Sequence, residues 1–259
     1  MRTVAVTAAD GFRLAAQVSG REHGSALLLL PGQANSHRWW TGMRDAFEDR
    51  FRVVTFDYRG TGGSRGPVGD WSTASFAADA ATVLAGLGVP SASVYGTSMG
   101  GRVAQRLAID HPRLVDRLVL ACTSPGGPHA LERSPEVRRS LADPDVGRRL
   151  RALHRLFYTD AWTQGPHDSH LLGDPTMTSD ESRAHLRASA RHDAWDGLPG
   201  ILAPTLVLHG TDDLMVPSDN AHLLVSRIPD ATLRLHPHGR HGFFEEFAAE
   251  LTPLVRDFL

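Results

Sequence analysis

SVYGTSMGGRVAQ, Ser93 to Gln105, runs from a short apolar stretch through a serine fenced by glycines into a segment of helical character. Gly96-Thr97-Ser98-Met99-Gly100 matches G-x-S-x-G. Between a strand and a helix, that pattern builds a strained elbow that carries the serine hydroxyl at the top of a sheet. Glycines two residues before and two after the serine remove Cβ atoms that would collide as strand turns into helix. Gly101 and Ala104 let the helix lie close to the sheet. The competing reading is a glycine-rich helix start with a solvated serine. The pattern alone does not choose between them, so the partners of Ser98 have to.

Working outward, continuous apolar runs recur: Ala26–Leu30, Arg52–Asp57, Ser93–Tyr95, Arg117–Cys122, Pro204–Gly210 and Ala231–His236. Unbroken rather than alternating apolarity suits strands covered on both faces. Ahead of them, Val4–Thr7 and Arg13–Val18 flank Asp10-Gly11, a hairpin signal. Helix-like segments separate most of the runs, and the order implies a mainly parallel sheet with helices on both faces. The alternation lapses once. From Thr123 to Gly200 there are helical patterns and turn punctuation but no convincing strand. A structureless loop of that length is improbable inside a compact domain. The segment 123–200 therefore reads as a helical cap inserted into a core made of 1–122 and 201–259. The final stretch puts Phe244, Phe247, Ala248, Leu251, Val255 and Phe258 on one helical face, with a break or kink expected at Pro253.

A serine hydroxyl needs a base to take its proton, and the base needs a carboxylate to hold it. With fourteen histidines in the chain, position is the test. Active groups of an open α/β sheet gather beyond the carboxyl ends of its strands. HGTDDLMVP follows the run ending at Gly210, which puts Asp212 and Asp213 just past a strand end. HPHGRHGFFEE does the same for His236, His238 and His241. The order Ser, Asp, His is the α/β-hydrolase order.

With LLLLPGQ, FDYRGTGGS, YGTSMGG, HGTDDLMVP and HGRHGFFEE in hand, the chain resembles the α/β-hydrolase fold superfamily over nearly its whole length. The resemblance implies a mostly parallel eight-stranded sheet with a helical lid inserted after the sixth strand. It makes Ser98 the nucleophile, His241 the base and Asp213 the acid, with Asp212 the rival. The preceding strand end, ACTSPGGP, offers no carboxylate. The oxyanion hole is expected from the backbone N–H groups of Met99 and Gln33. Pro31 stands where many relatives have histidine, a departure that leaves the backbone donor in place. Asp57 and Arg59 in FDYRGTGGS read as a structural turn.

Composition bounds the rest. The chain has 259 residues, 41% of them hydrophobic, and a formal charge of -2, so neither nucleic acid nor a membrane is expected as partner. All 27 basic residues are arginine; with no lysine, no Schiff base or P-loop lysine can form. One cysteine, Cys122, rules out an internal disulfide. No run is long and apolar enough for a span or a signal h-region, and the expected location is the cytoplasm. His167–His170 (HDSH), His185 and His192 raise the question of a metal. The spacing is unremarkable and no cysteine supports it, so no metal and no cofactor are expected. Between Thr123 and Trp195, ten acidic and ten arginine residues balance. Trp39, Phe157, Trp162 and Met177 are candidate pocket residues, although each reads equally as core.

The expected activity is cofactor-independent hydrolysis of an ester, lactone or thioester of a small, fairly apolar molecule. Serine at position 98 argues against branches that need a carboxylate nucleophile. Alternatives are a C–C bond hydrolase, a cofactor-free haloperoxidase, a lyase or cyclase using the same triad, or a non-catalytic ligand receptor. The substrate and the oligomeric state are not legible in the sequence.

Overall fold

The computed structural model describes residues 1–165 and 169–259. Eight strands form one sheet: β1 (Arg2–Thr7), β2 (Arg13–Gly20), β3 (Ala26–Leu30), β4 (Arg52–Phe56), β5 (Ala92–Thr97), β6 (Val115–Ala121), β7 (Thr205–Gly210) and β8 (Ala231–His236). Their spatial order is β1-β2-β4-β3-β5-β6-β7-β8. The first two strands run antiparallel, and every pairing from β4 to β8 is parallel. The Asp10-Gly11 turn joins β1 to β2, with Gly11 at φ 84°.

Strand side chains alternate between the two faces, and the two halves of the core follow that alternation. Leu28, Leu30, Val54 and Val94 pack with α1 (Thr73–Gly86) and α2 (Met99–Asp110) through Phe76, Val83, Val103 and Leu107. Leu27, Leu29, Val53 and Tyr95 face the other way, onto Trp39, Trp40 and the C-terminal helices. Both faces of β3 are fully buried, which explains its unbroken run of leucines.

Between β6 and β7 lie α3 (Pro135–Leu141), α4 (Val146–Phe157), α5 (Asp160–Thr163) and α6 (Ser179–Ala190). Among the described residues the only strand-like feature there is a single bridge, Gly126 to Asp193. Asp145 caps α4, and Thr178 with Glu181 forms a capping box on α6. After β7 come α7 (Asp219–Arg227), α8 (Phe243–Glu246) and α9 (Ala248–Phe258). The C-terminal stretch breaks at Phe247, not at Pro253. Phe247 leaves helical geometry at φ -106°, ψ 30°, while Pro253 lies inside α9. Loss of one amide donor is tolerated there because Leu251 and Val255 bury that helix against the sheet.

The FDYRGTGGS turn is a hydrogen-bonded knot. Asp57, buried, accepts from the backbone N–H of His37 (2.7 Å) and Gly63 (2.9 Å) and from the Gln17 side chain (3.2 Å). Arg59 lies between the carboxylates of Asp79 and Asp10. Burial raises the Asp79 carboxyl, and the Arg59 charge opposes that rise. This is the structural role expected of both residues.

The start of α2 lies against the end of β3 with no room for a side chain. A Cβ on Gly100 would sit 2.2 Å from the Leu30 carbonyl oxygen and 2.6 Å from that of Pro31. Both neighbours are backbone, so neither yields cheaply. Gly100→Ala is expected to lower stability by about 1–3 kcal/mol, measured as a lower urea midpoint at unchanged m-value.

Candidate active site

Ser98 joins β5 to α2 at φ 54°, ψ -122°, a conformation that a residue with a side chain adopts only when its surroundings impose it. Here they do. Its N–H donates to the Ala121 carbonyl at 2.9 Å, and its carbonyl accepts from Thr123 Oγ1 at 2.7 Å. The chain must then turn within one residue into α2. A Cβ on Gly96 would lie 2.3 Å from the Gly100 carbonyl oxygen. The partly exposed hydroxyl of Ser98 stands at the helix N-terminus.

Ser98 Oγ is 3.0 Å from His241 Nε2, and His241 Nδ1 is 2.8 Å from Asp213 Oδ2. The carboxylate accepts a hydrogen bond from Nδ1–H, so Nε2 is left to accept from the serine. Three strand ends, β5, β7 and β8, thus contribute one residue each to one hydrogen-bonded chain. Asp213 and His241 are buried, at 3% and 1% exposure. Asp213 Oδ1 accepts from the N–H groups of Met215 (2.8 Å) and Val216 (2.9 Å). Burial pushes its carboxyl up, but attraction to His241 and hydrogen bonds from His209 and His241 outweigh that and hold it well below the usual range. Asp212 is elsewhere: its carboxylate accepts from Thr211 Oγ1 and lies 3.6 Å from His238. His236 packs on Phe247 with ring centroids 4.1 Å apart, and the His238 side chain is 85% exposed.

His209 was not among the sequence candidates. It is fully buried on β7, its Nε2 2.9 Å from the Val216 carbonyl and 3.3 Å from Asp213 Oδ2. It ties the acid loop back to its own strand. Cys122, at the end of β6, is buried with φ 43°. Burial, reinforced by the Asp213 charge, raises its thiol well above the ordinary value, so it offers no thiolate to compete with Ser98.

The loop after β3 runs beside the first turn of α2, as the Leu30 and Pro31 carbonyls next to Gly100 establish. Among the described residues, no protein acceptor pairs with the N–H of Gln33 or of Met99. One of these unclaimed donors stands at the start of α2 and the other on the loop that runs beside it. Trp39 packs under this loop, its ring 2.4 Å from where a Cβ on Gly32 would be.

Of the pocket candidates, Trp39 and Phe157 are buried aromatics. Phe157 sets its ring edge-on to His241 at 5.0 Å and to Trp39 at 6.2 Å. Trp162 stacks on Tyr158, and Met177, half-buried, donates its N–H to the Asp174 carbonyl. A cleft of about 260 Å³ lies next to the loop after β3, with Asn35, Arg38, Leu172 and Asp174 in its wall; none of these four candidates lines it. The stretch between β6 and β7 reaches the site through backbone as well: the N–H groups of His241 and Gly242 donate to the Leu156 and Phe157 carbonyls at the end of α4. His167 and Asp168 of the HDSH run lie outside the described residues. His192 pairs with Thr73 Oγ1 at 2.8 Å, and His185 bonds backbone groups on either side of its ring.

The model for the alpha/beta hydrolase fold matches residues 25–248, and the chain belongs to that family. A protein of Caulobacter sp. strain K31 named "Putative carbamate hydrolase RutD" is 30% identical over 243 residues, which span 90% of each chain. Among solved structures, Est816, described as an N-acyl homoserine lactone degrading enzyme, is 25% identical with a TM-score of 0.84, over 99% of this chain and 100% of its own. The esterase RhEst1 from Rhodococcus sp. ECU1013 is likewise 25% identical, with a TM-score of 0.81 over all of both chains. Among the described residues, no helix is long and apolar enough to cross a membrane.

The lowered Asp213 carboxyl has a defined consequence for acid stability. Its folded value lies below that of the unfolded chain, about 3.9. The stability it contributes is complete above that value and is lost as the pH falls further. Asp213→Asn should therefore flatten the acid limb of stability against pH relative to wild type, read from urea midpoints between about pH 5 and 2.5.

Proposed function

We propose that the chain is a serine hydrolase that cleaves the carboxylic ester, lactone or thioester of a small, fairly apolar molecule through an acyl-enzyme on Ser98. One observation carries this reading: the Ser98–His241–Asp213 chain, with contacts of 3.0 and 2.8 Å, assembled at the carboxyl ends of three strands. Ser98 Oγ attacks the carbonyl carbon while His241 Nε2 takes its proton. The carbonyl π pair moves to oxygen, where the Gln33 and Met99 N–H groups receive the negative charge. Collapse expels the alkoxide or thiolate, which takes the proton from His241. Water, deprotonated by His241, then attacks the acyl-Ser98 ester and releases the acid. Asp213 stays ionised throughout, holding the imidazole in one tautomer and stabilising it when it is charged. These steps call for no cofactor.

In this reading, 123–200 is a lid over a core of 1–122 and 201–259. The contact of Phe157 with His241 supports it. The Caulobacter relative's name favours one extension of the carbonyl class: a carbamate presents the same electrophile, and its acyl group leaves Ser98 as a carbamic or carbonic acid. Function in the cytoplasm is part of the same proposal.

A fluorophosphonate should label Ser98, and Ser98→Ala should abolish labelling together with turnover of p-nitrophenyl acetate. Wild-type turnover by that variant would remove Ser98 as nucleophile. A panel of acyl esters, lactones, acyl thioesters and carbamates, compared by kcat/KM, assigns the substrate class. Asp213→Asn should cost about 10³–10⁴-fold in kcat and Asp212→Asn less than about tenfold; the reverse ranking would exchange the acid.

A further inference from the structure

His185 and Asn35 are conspicuous among the polar side chains that the catalytic steps leave unused. His185 is fully buried on α6, on the insert. Its Nε2 lies 2.8 Å from the Arg59 carbonyl, which obliges that nitrogen to carry the hydrogen. Nδ1 is then a lone-pair acceptor, and it receives the N–H of Ala34 at 3.2 Å. Both partners demand the same neutral tautomer. Burial lowers the imidazole's proton affinity, with the Arg59 carbonyl and the Glu181 charge opposing it. The charged groups near it are largely paired with one another: Glu181 with Arg65, and the Arg59 guanidinium with Asp79 and Asp10.

Asn35, also buried, completes the arrangement from the loop itself. Its Nδ2 donates to the Gln33 carbonyl at 2.9 Å, and its Oδ1 accepts from Gly173 N–H at 3.2 Å. Asp174 N–H donates to the Ala34 carbonyl at 2.7 Å. The peptide unit between Gln33 and Ala34 is therefore pinned at both ends, its N–H by His185 and its C=O by Asn35. The segment holding Asn35 in turn, Gly173–Asp174, belongs to the insert. Ala34 sits at φ 56°, a left-handed conformation that a residue with a Cβ keeps only where its neighbours over-determine it. On the other side of Gln33, the Trp39 ring packs against Gly32. Gln33 is thus fixed from both flanks, and among the described residues no protein acceptor pairs with its own N–H.

We propose that His185 and Asn35 are positioning residues for the oxyanion hole: His185 from the insert, and Asn35 from the loop with Gly173 of the insert behind it, lock the strained peptide after Gln33 so that the Gln33 N–H is aimed at the reacting carbonyl. The inference rests on the hydrolase reading above. Its consequence is that the insert governs the rate of the chemical step, in addition to any role in admitting substrate. A donor held in place before reaction lowers the barrier without reorganisation, whereas one free to rotate does not.

The test compares His185→Leu, which fills the site without an acceptor, with His185→Asn, whose Oδ1 takes the place of Nδ1. Both are measured as full-length enzyme on p-nitrophenyl acetate, and with an alkyl trifluoromethyl ketone whose adduct places an oxyanion in the hole. For His185→Leu, kcat should fall roughly 10–100-fold with KM within about twofold, and the ketone's Ki should rise by the same factor as kcat falls. His185→Asn should recover most of both. Unchanged kcat and Ki in His185→Leu would overturn the proposal, as would a loss confined to KM or an Asn variant no better than Leu. If circular dichroism finds His185→Leu unfolded, Asn35→Ala carries the same comparison, because it frees the other end of the same peptide. Wild type lacking Ser98-dependent turnover overturns the parent reading; active wild type with unaffected variants overturns this one alone.

Discussion

A serine with a positive φ, caught between a buried strand and a helix, is the constraint from which the site follows. Such a conformation costs of order 1–3 kcal/mol and survives only if the fold enforces it. The Ala121 carbonyl and Thr123 Oγ1 hold the two sides of Ser98, and Gly96 and Gly100 clear the space for the reversal. Once the turn is made, α2 has one place to start: against the carbonyls of Leu30 and Pro31. That brings the loop after β3 alongside the first turn of α2. The geometry of the site is thus largely a consequence of one backbone turn.

The second half of the site is an electrostatic problem solved by burial. A carboxylate as enclosed as Asp213 is costly unless its lone pairs are met. Two backbone N–H groups, His241 and the neighbouring His209 meet them. The same contacts that keep Asp213 ionised fix the orientation of the His241 ring, so stability and chemistry draw on one set of bonds. The insert adds a further layer. The end of α4 grips the backbone of His241 and Gly242, while α6 and the segment around Asp174 grip the loop at Gln33 to Asn35. His241 and the loop after β3, which sit at different strand ends, are each tied to the same intervening stretch of chain.

Much of this was legible in the chain. Unbroken apolar runs mark the inner parallel strands because both faces of the sheet are covered there, whereas β8, at the sheet edge, is half exposed. The elbow was legible because its glycines are imposed by steric contacts local to the turn. Asp213 was separable from Asp212 only by family pattern; in space they differ because one side chain enters the core and the other lies outside it. Pro253 predicts a break because proline is a local signal, whereas the break at Phe247 belongs to the packing of α8 and α9 against the sheet.

The residues that sequence reasoning missed share a cause. His209, His185 and Asn35 do their work through backbone partners, among them Val216, Arg59, Ala34 and Gly173. Hydrogen bonds to main chain leave no residue type to recognise at the far end, and the ties from His185 span 126 and 151 residues of sequence. By itself the sequence determined the strands, the elbow and the order of the three catalytic candidates, because periodicity, sterics and chain order are local or additive. Only the tertiary structure decided which histidine meets which carboxylate and which peptide is held rigid, because those depend on atoms brought within about 3 Å from distant parts of the chain.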